Sequence, residues 1–158
     1  MTLLYLIRHG RSTWNAEGRV QGQADPPLDE TGREQARKLS KRLNEIEFEA
    51  FYSSPLARAR ETAKIIAEPH DLPIAFDDRL MERSFGDWTG LHGSQLDEFV
   101  KKPEYQNWRL EGAPNGESRI QIINRAAAVF NKIVATYPTQ IVAVVSHGGL
   151  LSAFVAHA

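Results

Sequence analysis

The sequence contains no cysteine, which excludes a disulfide framework, a thiolate metal centre and a cysteine nucleophile together. An excess of either charge is also missing: 19 Lys and Arg stand against 20 Asp and Glu, a formal net charge of -1. No bulk field draws this chain to nucleic acid or to an anionic membrane, so any positive potential has to be local. A long apolar run is absent too. The N-terminal Met1-Thr-Leu-Leu-Tyr-Leu-Ile stretch meets Arg8 too soon for a membrane span and has no basic region before it, unlike a signal peptide. Cytoplasm is the default compartment. No internal repeat or low-complexity tract is visible. A length of 158 residues, 42% hydrophobic and 25% charged, predicts a single domain over residues 1–158.

What is present alternates between strand-like and helix-like stretches. Residues 3–7 mix Leu, Tyr and Ile without alternation, which predicts a strand covered on both faces in the middle of an α/β sheet. From Arg11 to Leu28 the chain turns polar and is punctuated by Gly18, Gly22, Pro26 and Pro27, the composition of a functional loop. Asp29 reads as an N-cap for a helix whose buried stripe is Gly32, Ala36, Leu39 and Leu43. A short strand at Phe51-Tyr52 leads to Ser53-Ser54-Pro55, a helix start with serine as cap and proline in the first turn. The stretch 72–76 predicts a strand, and Pro73 places it at an edge. Residues 77–90 carry no readable periodicity. A short helix is expected around 95–101, inside a segment 91–116 that reads as a lid or specificity element. A helix over 117–137 has Ile123, Ala127, Phe130 and Val134 as its stripe, and Pro138 ends it. Ile141-Val-Ala-Val-Val145 is the clearest buried strand, and an apolar helix follows. The pattern predicts an α/β fold, a three-layer α/β/α sandwich with a mostly parallel central sheet.

Two strands end alike: Ile7-Arg8-His9-Gly10 and Val145-Ser146-His147-Gly148. Ligands of open α/β sheets collect beyond the carboxyl ends of strands, so the two histidines can face one crevice. The plainer alternative is that each imidazole bonds a nearby carbonyl and caps its strand. Arg8 offers a fork of donors suited to phosphate oxygens. Arg58 sits in the first turn of a helix, where the macrodipole disfavours a cation unless an anion lies between it and the free amides. A surface salt bridge to Glu61 or Glu34 is the competing explanation. Asn15 and Ser12 can donate further bonds, although turns are rich in such residues. Glu82 can equally pair with a basic neighbour, and Glu117 can simply begin the following helix. Packing or surface roles suit His70, His92 and His157. Trp88 and Trp108 fit either a pocket wall or the core.

The stretch Leu6-Ile-Arg-His-Gly-Arg-Ser-Thr-Trp-Asn15 resembles the signature of the histidine phosphatase superfamily, in its phosphoglycerate mutase-like branch. Further blocks follow in the family's order: Pro27-Leu-Asp-Glu-Thr-Gly-Arg-Glu-Gln-Ala36, Ser53-Ser-Pro-Leu-Ala-Arg-Ala-Arg-Glu-Thr-Ala63, Glu82-Arg-Ser-Phe-Gly-Asp-Trp-Thr-Gly90 and Val145-Ser-His-Gly-Gly149. The resemblance implies a phosphohistidine mechanism with no metal or other cofactor. His9 would be the nucleophile, and Arg8, Arg58 and His147 would hold the phosphoryl oxygens with help from Asn15. Glu82 would protonate the leaving oxygen and then help activate water. The guanidiniums around His9 would keep it neutral near pH 7. Gln21, Gly22 and Gly148 fall where family members contact phosphate or substrate.

The implied partner is a small-molecule phosphomonoester, with no nucleic acid or membrane, and the assembly a monomer or homodimer. A metal-independent phosphomonoester phosphatase is the leading expectation. A cofactor-dependent phosphoglycerate mutase-type phosphotransferase shares the Glu82-Arg83 pairing, but the stretch between Gly90 and Glu117 is short beside the substrate-enclosing region of such mutases. A catalytically silent phosphate-binding relative is the third option. Family members usually continue past the helix that follows the second histidine, so the chain reads as shortened at its C-terminus.

Overall fold

The structure is a computed structural model that describes residues 1–157. Strands β1 (Leu3–Arg8), β2 (Ala50–Ser53), β3 (Ile74–Phe76) and β4 (Ile141–Ser146) form one sheet in the order β1-β4-β2-β3, and every pairing is parallel. The helices are α1 (Thr13–Glu17), α2 (Glu30–Leu43), α3 (Ala57–Ala67), α4 (Gly93–Val100), α5 (Trp108–Glu111), α6 (Arg119–Thr136) and α7 (Gly148–Val155). Among the described residues no helix is long and apolar enough to cross a membrane.

Side chains of a strand alternate between faces, and here each face has its own core. Val142 and Val144 of β4 point to one side, where Ile122, Ala126, Val129, Phe130 and Ile133 of α6 and Leu150 and Leu151 of α7 pack on them. Ala143 and Val145 point to the other, toward Ala59, Ala63 and Ile66 of α3 and Leu43 of α2. Helices on both faces of a parallel sheet make the predicted three layers. The caps explain where the longer helices begin. Asp29 accepts a bond from Gly32 N at 2.7 Å to start α2, and Ser118 forms a capping box with Gln121 to start α6.

Several expectations need correction. Among the described residues β1 lies at an edge, not in the middle, because β4 is its one partner in the sheet. Its unbroken apolar run reflects cover on both faces, a separate matter from hydrogen bonding on both sides. β3 does lie at an edge, as Pro73 predicts. The N-cap of α3 is Leu56, with no side-chain cap, so Ser53 and Ser54 are not capping residues. The buried stripe of α6 is broader than expected and partly shifted: Ile123 and Phe130 are core as read, Ile122, Ala126 and Ile133 join them, and Val134 is 42% exposed. Residues 77–90 hold two single 3-10 turns, Asp78–Leu80 and Gly86–Trp88, which are too short to give a period. Trp88 is core, only 2% exposed.

The exit from β1 passes very close to the start of α2. A Cβ on Gly32 would collide with the Arg11 carbonyl and stand 2.7 Å from its amide, and a Cβ on Gly10 would strike the Gly32 carbonyl. The glycines let two backbones touch and so fix the turn after His9. Gly32→Ala is expected to lower stability by about 1–3 kcal/mol, as overpacked sites do, read as the urea midpoint. An unchanged midpoint would show that the turn after β1 yields freely.

Candidate active site

His9 and His147 directly follow residues paired across the sheet. Arg8 of β1 lies opposite Ser146 of β4, and His9 N donates to Ser146 O at 3.0 Å. The two imidazoles therefore leave adjacent strand ends together, with ring centroids 5.0 Å apart and planes inclined by 57°. His9 is 8% exposed and His147 fully buried.

The orientation of the His9 ring fixes its chemistry. His9 Nδ1 lies 2.6 Å from the Gly10 carbonyl oxygen. A carbonyl can only accept, so Nδ1 carries the proton and Nε2 of the neutral ring keeps its lone pair. Burial pushes the His9 pKa down to about 4; the bond to Gly10 opposes this, and Arg58 and Arg8 lower it further. Burial thus outweighs the guanidiniums that sequence reasoning credited. His147 is held well below the ordinary histidine value, again by burial first and then by Arg58. Its Nε2 lies 2.8 Å from Ser54 Oγ.

The salt bridge suggested for Arg58 does not form. Glu61 pairs instead with Arg33 at 2.6 Å, and Arg58 is fully buried. Its guanidinium donates to the carbonyls of Gly22 at 2.7 Å and Ala24 at 2.8 Å. Burial lowers its pKa, opposed by Glu82 and Asp25, and a guanidinium remains cationic throughout. The anion expected at the start of α3 belongs to the chain itself: Asp25 Oδ1 accepts from Ala57 N at 2.5 Å.

Glu82 ignores its basic neighbours' side chains. Its carboxylate accepts from Arg83 N at 2.8 Å, Gly149 N at 3.0 Å and Leu150 N at 3.1 Å. It is seated on the open amides at the start of α7, where the helix dipole favours an anion. A side chain on Gly149 would collide with that carboxylate. The segment behind Glu82 is clamped by Arg125, which donates to the carbonyls of Arg79 and Met81 at 2.8 Å and of Glu82 at 3.3 Å. Glu117 is the counterion of Arg125, at 2.7 Å, and this is its place rather than an acid role.

Arg8, His9, Gln21, Gly22, Arg58 and Glu82 line one cavity of about 250 Å³, walled by Phe85 and Trp108. An adjoining cleft of about 420 Å³ is lined by Arg8, His9, Arg11, Asn15 and Gln35. Asn15 Oδ1 accepts from Ser12 N at 3.1 Å, which leaves its amide protons free. Gln21 accepts from Ser12 Oγ at 2.5 Å. Gly148 backs the Arg8 side chain, since a Cβ there would lie 3.4 Å from Arg8 Nε. Every predicted site residue is thus gathered around the ends of β1 and β4. His70 instead packs against Phe48 and Phe51, with centroids 5.2 and 5.3 Å away, and His92 begins α4. Among the described residues no three His, Asp or Glu side chains are grouped as metal ligands. Sequence reasoning missed Asp25, Ser54 and Arg125. Ser54 lay in a block quoted for other reasons, and a lone arginine within a helix carries no signal.

Residues 4–158 match the family model of the histidine phosphatase superfamily (branch 1). Phosphoserine phosphatase 1 of Hydrogenobacter thermophilus is 37% identical over 152 residues, covering 93% of this chain and 71% of that protein. A protein of Escherichia coli named Probable phosphoglycerate mutase GpmB is 39% identical over 136 residues, covering 81% of this chain and 61% of its own length. The solved structure of Bacillus stearothermophilus YhfR superposes with a TM-score of 0.91 at 36% identity, covering 99% of this chain and 79% of the other. With its fold, its two strand-end histidines and these relatives in agreement, the chain belongs to the histidine phosphatase superfamily, branch 1.

Proposed function

We propose that this chain, as one domain spanning residues 1–158, is a phosphomonoester phosphatase that works through a phosphohistidine on His9 without a metal. The observation that carries the reading is the bond from His9 Nδ1 to the Gly10 carbonyl at 2.6 Å. It leaves an Nε2 lone pair on a neutral imidazole, in a cavity shared with Arg8, Arg58 and Glu82. In the first step that lone pair forms a bond to phosphorus, the bond from phosphorus to the ester oxygen breaks, and Glu82, whose carboxylate takes up a proton from solvent as the negatively charged phosphate enters beside it, gives that proton to the leaving alkoxide. In the second step water attacks phosphorus, its proton passes to Glu82, and the phosphorus–nitrogen bond breaks to return His9. Arg8, Arg58 and His147, with the free amide of Asn15, stabilise the charge that spreads over the phosphoryl oxygens. Gln21, Gly22 and Gly148 border the phosphate and substrate positions. A small phosphomonoester is the substrate class, as the name of the Hydrogenobacter relative suggests.

His9→Asn is expected to lower turnover by about 10⁴-fold or more and to abolish an acid-labile phosphoenzyme, while EDTA changes neither. Phosphate release from phosphoserine, 3-phosphoglycerate and p-nitrophenyl phosphate, measured beside interconversion of the phosphoglycerates, separates hydrolysis from transfer. Mutase turnover with negligible release would replace the phosphatase reading by the one suggested by the Escherichia coli relative's name. No turnover and no phosphoenzyme would point to a silent binding relative. Glu82→Gln is expected to cost about 10²–10⁴-fold with an alkyl phosphate and much less with p-nitrophenyl phosphate, whose leaving group needs no proton. Equal losses on both esters would remove Glu82 from the acid role.

Folded His9 titrates at about 4, below the ordinary value of 6.5. Below 6.5 the unfolded chain therefore binds a proton that the folded chain refuses. The stabilisation is present above that value and fades as pH falls toward 4. In a buffer free of phosphate, His9 alone is expected to remove about 2 kcal/mol between pH 7.5 and 5, and His9→Asn should flatten the slope of urea midpoint against pH. An unchanged slope would show that His9 titrates normally.

A further inference from the structure

Ser54 and His147 are both fully buried and lie 2.8 Å apart, Oγ to Nε2. The direction of this bond follows from the rest of Ser54's surroundings. Leu56 N donates to the same Oγ at 3.3 Å, so one acceptor position of the hydroxyl is used. Its proton finds its acceptor in Nε2 of His147. Were Nε2 protonated instead, Ser54 would accept twice and leave its own proton buried and unbonded, a costly arrangement. With Ser54 as donor, the single proton of a neutral His147 is on Nδ1. Burial and the cations Arg58, Arg125 and Arg8 keep that ring neutral.

Among the described residues Nδ1 of His147 is itself buried with no partner, and so is Nε of Arg58. Nε of arginine can only donate. A phosphoryl oxygen, which only accepts, completes both atoms if His147 Nδ1 also holds a proton, and it would leave an unprotonated Nδ1 facing a lone pair. We propose that Ser54 is a positioning residue that holds neutral His147 in its Nδ1–H tautomer, so that His147 Nδ1 and Arg58 Nε donate together to an oxygen of the transferring phosphoryl group. This rests on the phosphoryl-transfer reading above. Ser54 touches neither substrate nor reacting atom; its effect passes through the imidazole.

Long-range proton–nitrogen correlation spectra of the 15N-labelled chain read the tautomer directly, with no substrate and no variant. The expected result is a protonated Nδ1 and a bare Nε2 on His147, both in the resting protein and with vanadate bound. A protonated Nε2 in the resting protein overturns the inference, whatever the enzymatic activity. Ser54→Ala is expected to admit the Nε2–H tautomer, to lower kcat by about 10–100-fold with a smaller change in KM, and to weaken vanadate inhibition. Ser54→Thr, which keeps the hydroxyl, should recover most of the loss. A folded Ser54→Ala protein with the original kcat and vanadate affinity also overturns it. Should no phosphomonoester be turned over, the functional reading fails on that result, whereas the resting spectrum still decides the tautomer.

Discussion

The parallel pairing of β1 with β4 is the constraint on which the site depends. Arg8 lies opposite Ser146, so the residues that follow, His9 and His147, leave the sheet side by side. A slip of one residue would turn every side chain to the other face. Two cores forbid the slip, because Val142 and Val144 pack toward α6 and α7 while Ala143 and Val145 pack toward α2 and α3. The distance between the imidazoles is therefore a product of core packing, and only secondarily of bonds within the site.

That placement gathers positive charge in a protein whose formal net charge is -1. A buried cation with nothing opposite it is costly. Arg58 is accommodated by two loop carbonyls and by the more distant carboxylates of Asp25 and Glu82, and its Nε stays without a partner. Burial meanwhile holds His9 and His147 neutral. The site at rest is thus incompletely compensated, and a dianionic phosphoryl group is the kind of ligand that completes it.

The layered fold was legible because strand and helix periods are strong signals in β4, α2 and α6, and the matching ends of β1 and β4 pointed to one crevice. The edge position of β1 was not legible, since cover by helices on both faces gives the same apolar run at an edge as in the middle. The orientation of Glu82 was hidden for another reason. Two of its three partners, Gly149 N and Leu150 N, lie more than sixty residues away, all three are backbone groups, and backbone amides leave no trace in residue identity. The structure only half supports the helix-dipole argument for Arg58: Asp25 supplies the anion at α3, and the guanidinium turns to the loop. Serine before proline signals a helix cap, whereas the Ser54 hydroxyl bonds the imidazole of His147, just past the end of β4.

The end of β4 also ties the acid position to the phosphate position. Ser146 Oγ donates to Leu80 O at 2.7 Å, His147 follows it, and the next two amides after Gly148 hold the Glu82 carboxylate. The Glu82 carboxylate is therefore tied to the same piece of backbone that carries His147, and the two cannot drift apart without breaking these bonds at the start of α7. The outer wall of the cavity has a different origin. Leu96 and Trp108 come from α4 and α5, which contain no buried residues of their own; Phe99 of α4 and Trp108 of α5 pack on Trp88 with ring centroids 6.2 and 5.5 Å away, and Arg83 donates to the carbonyls of Trp108 and Arg109. Strand ends locked by two cores hold Arg8, His9 and His147, whereas Leu96 and Trp108 sit on a segment outside both cores. Changes in 91–116 can then reshape the second set while leaving the register of the first intact.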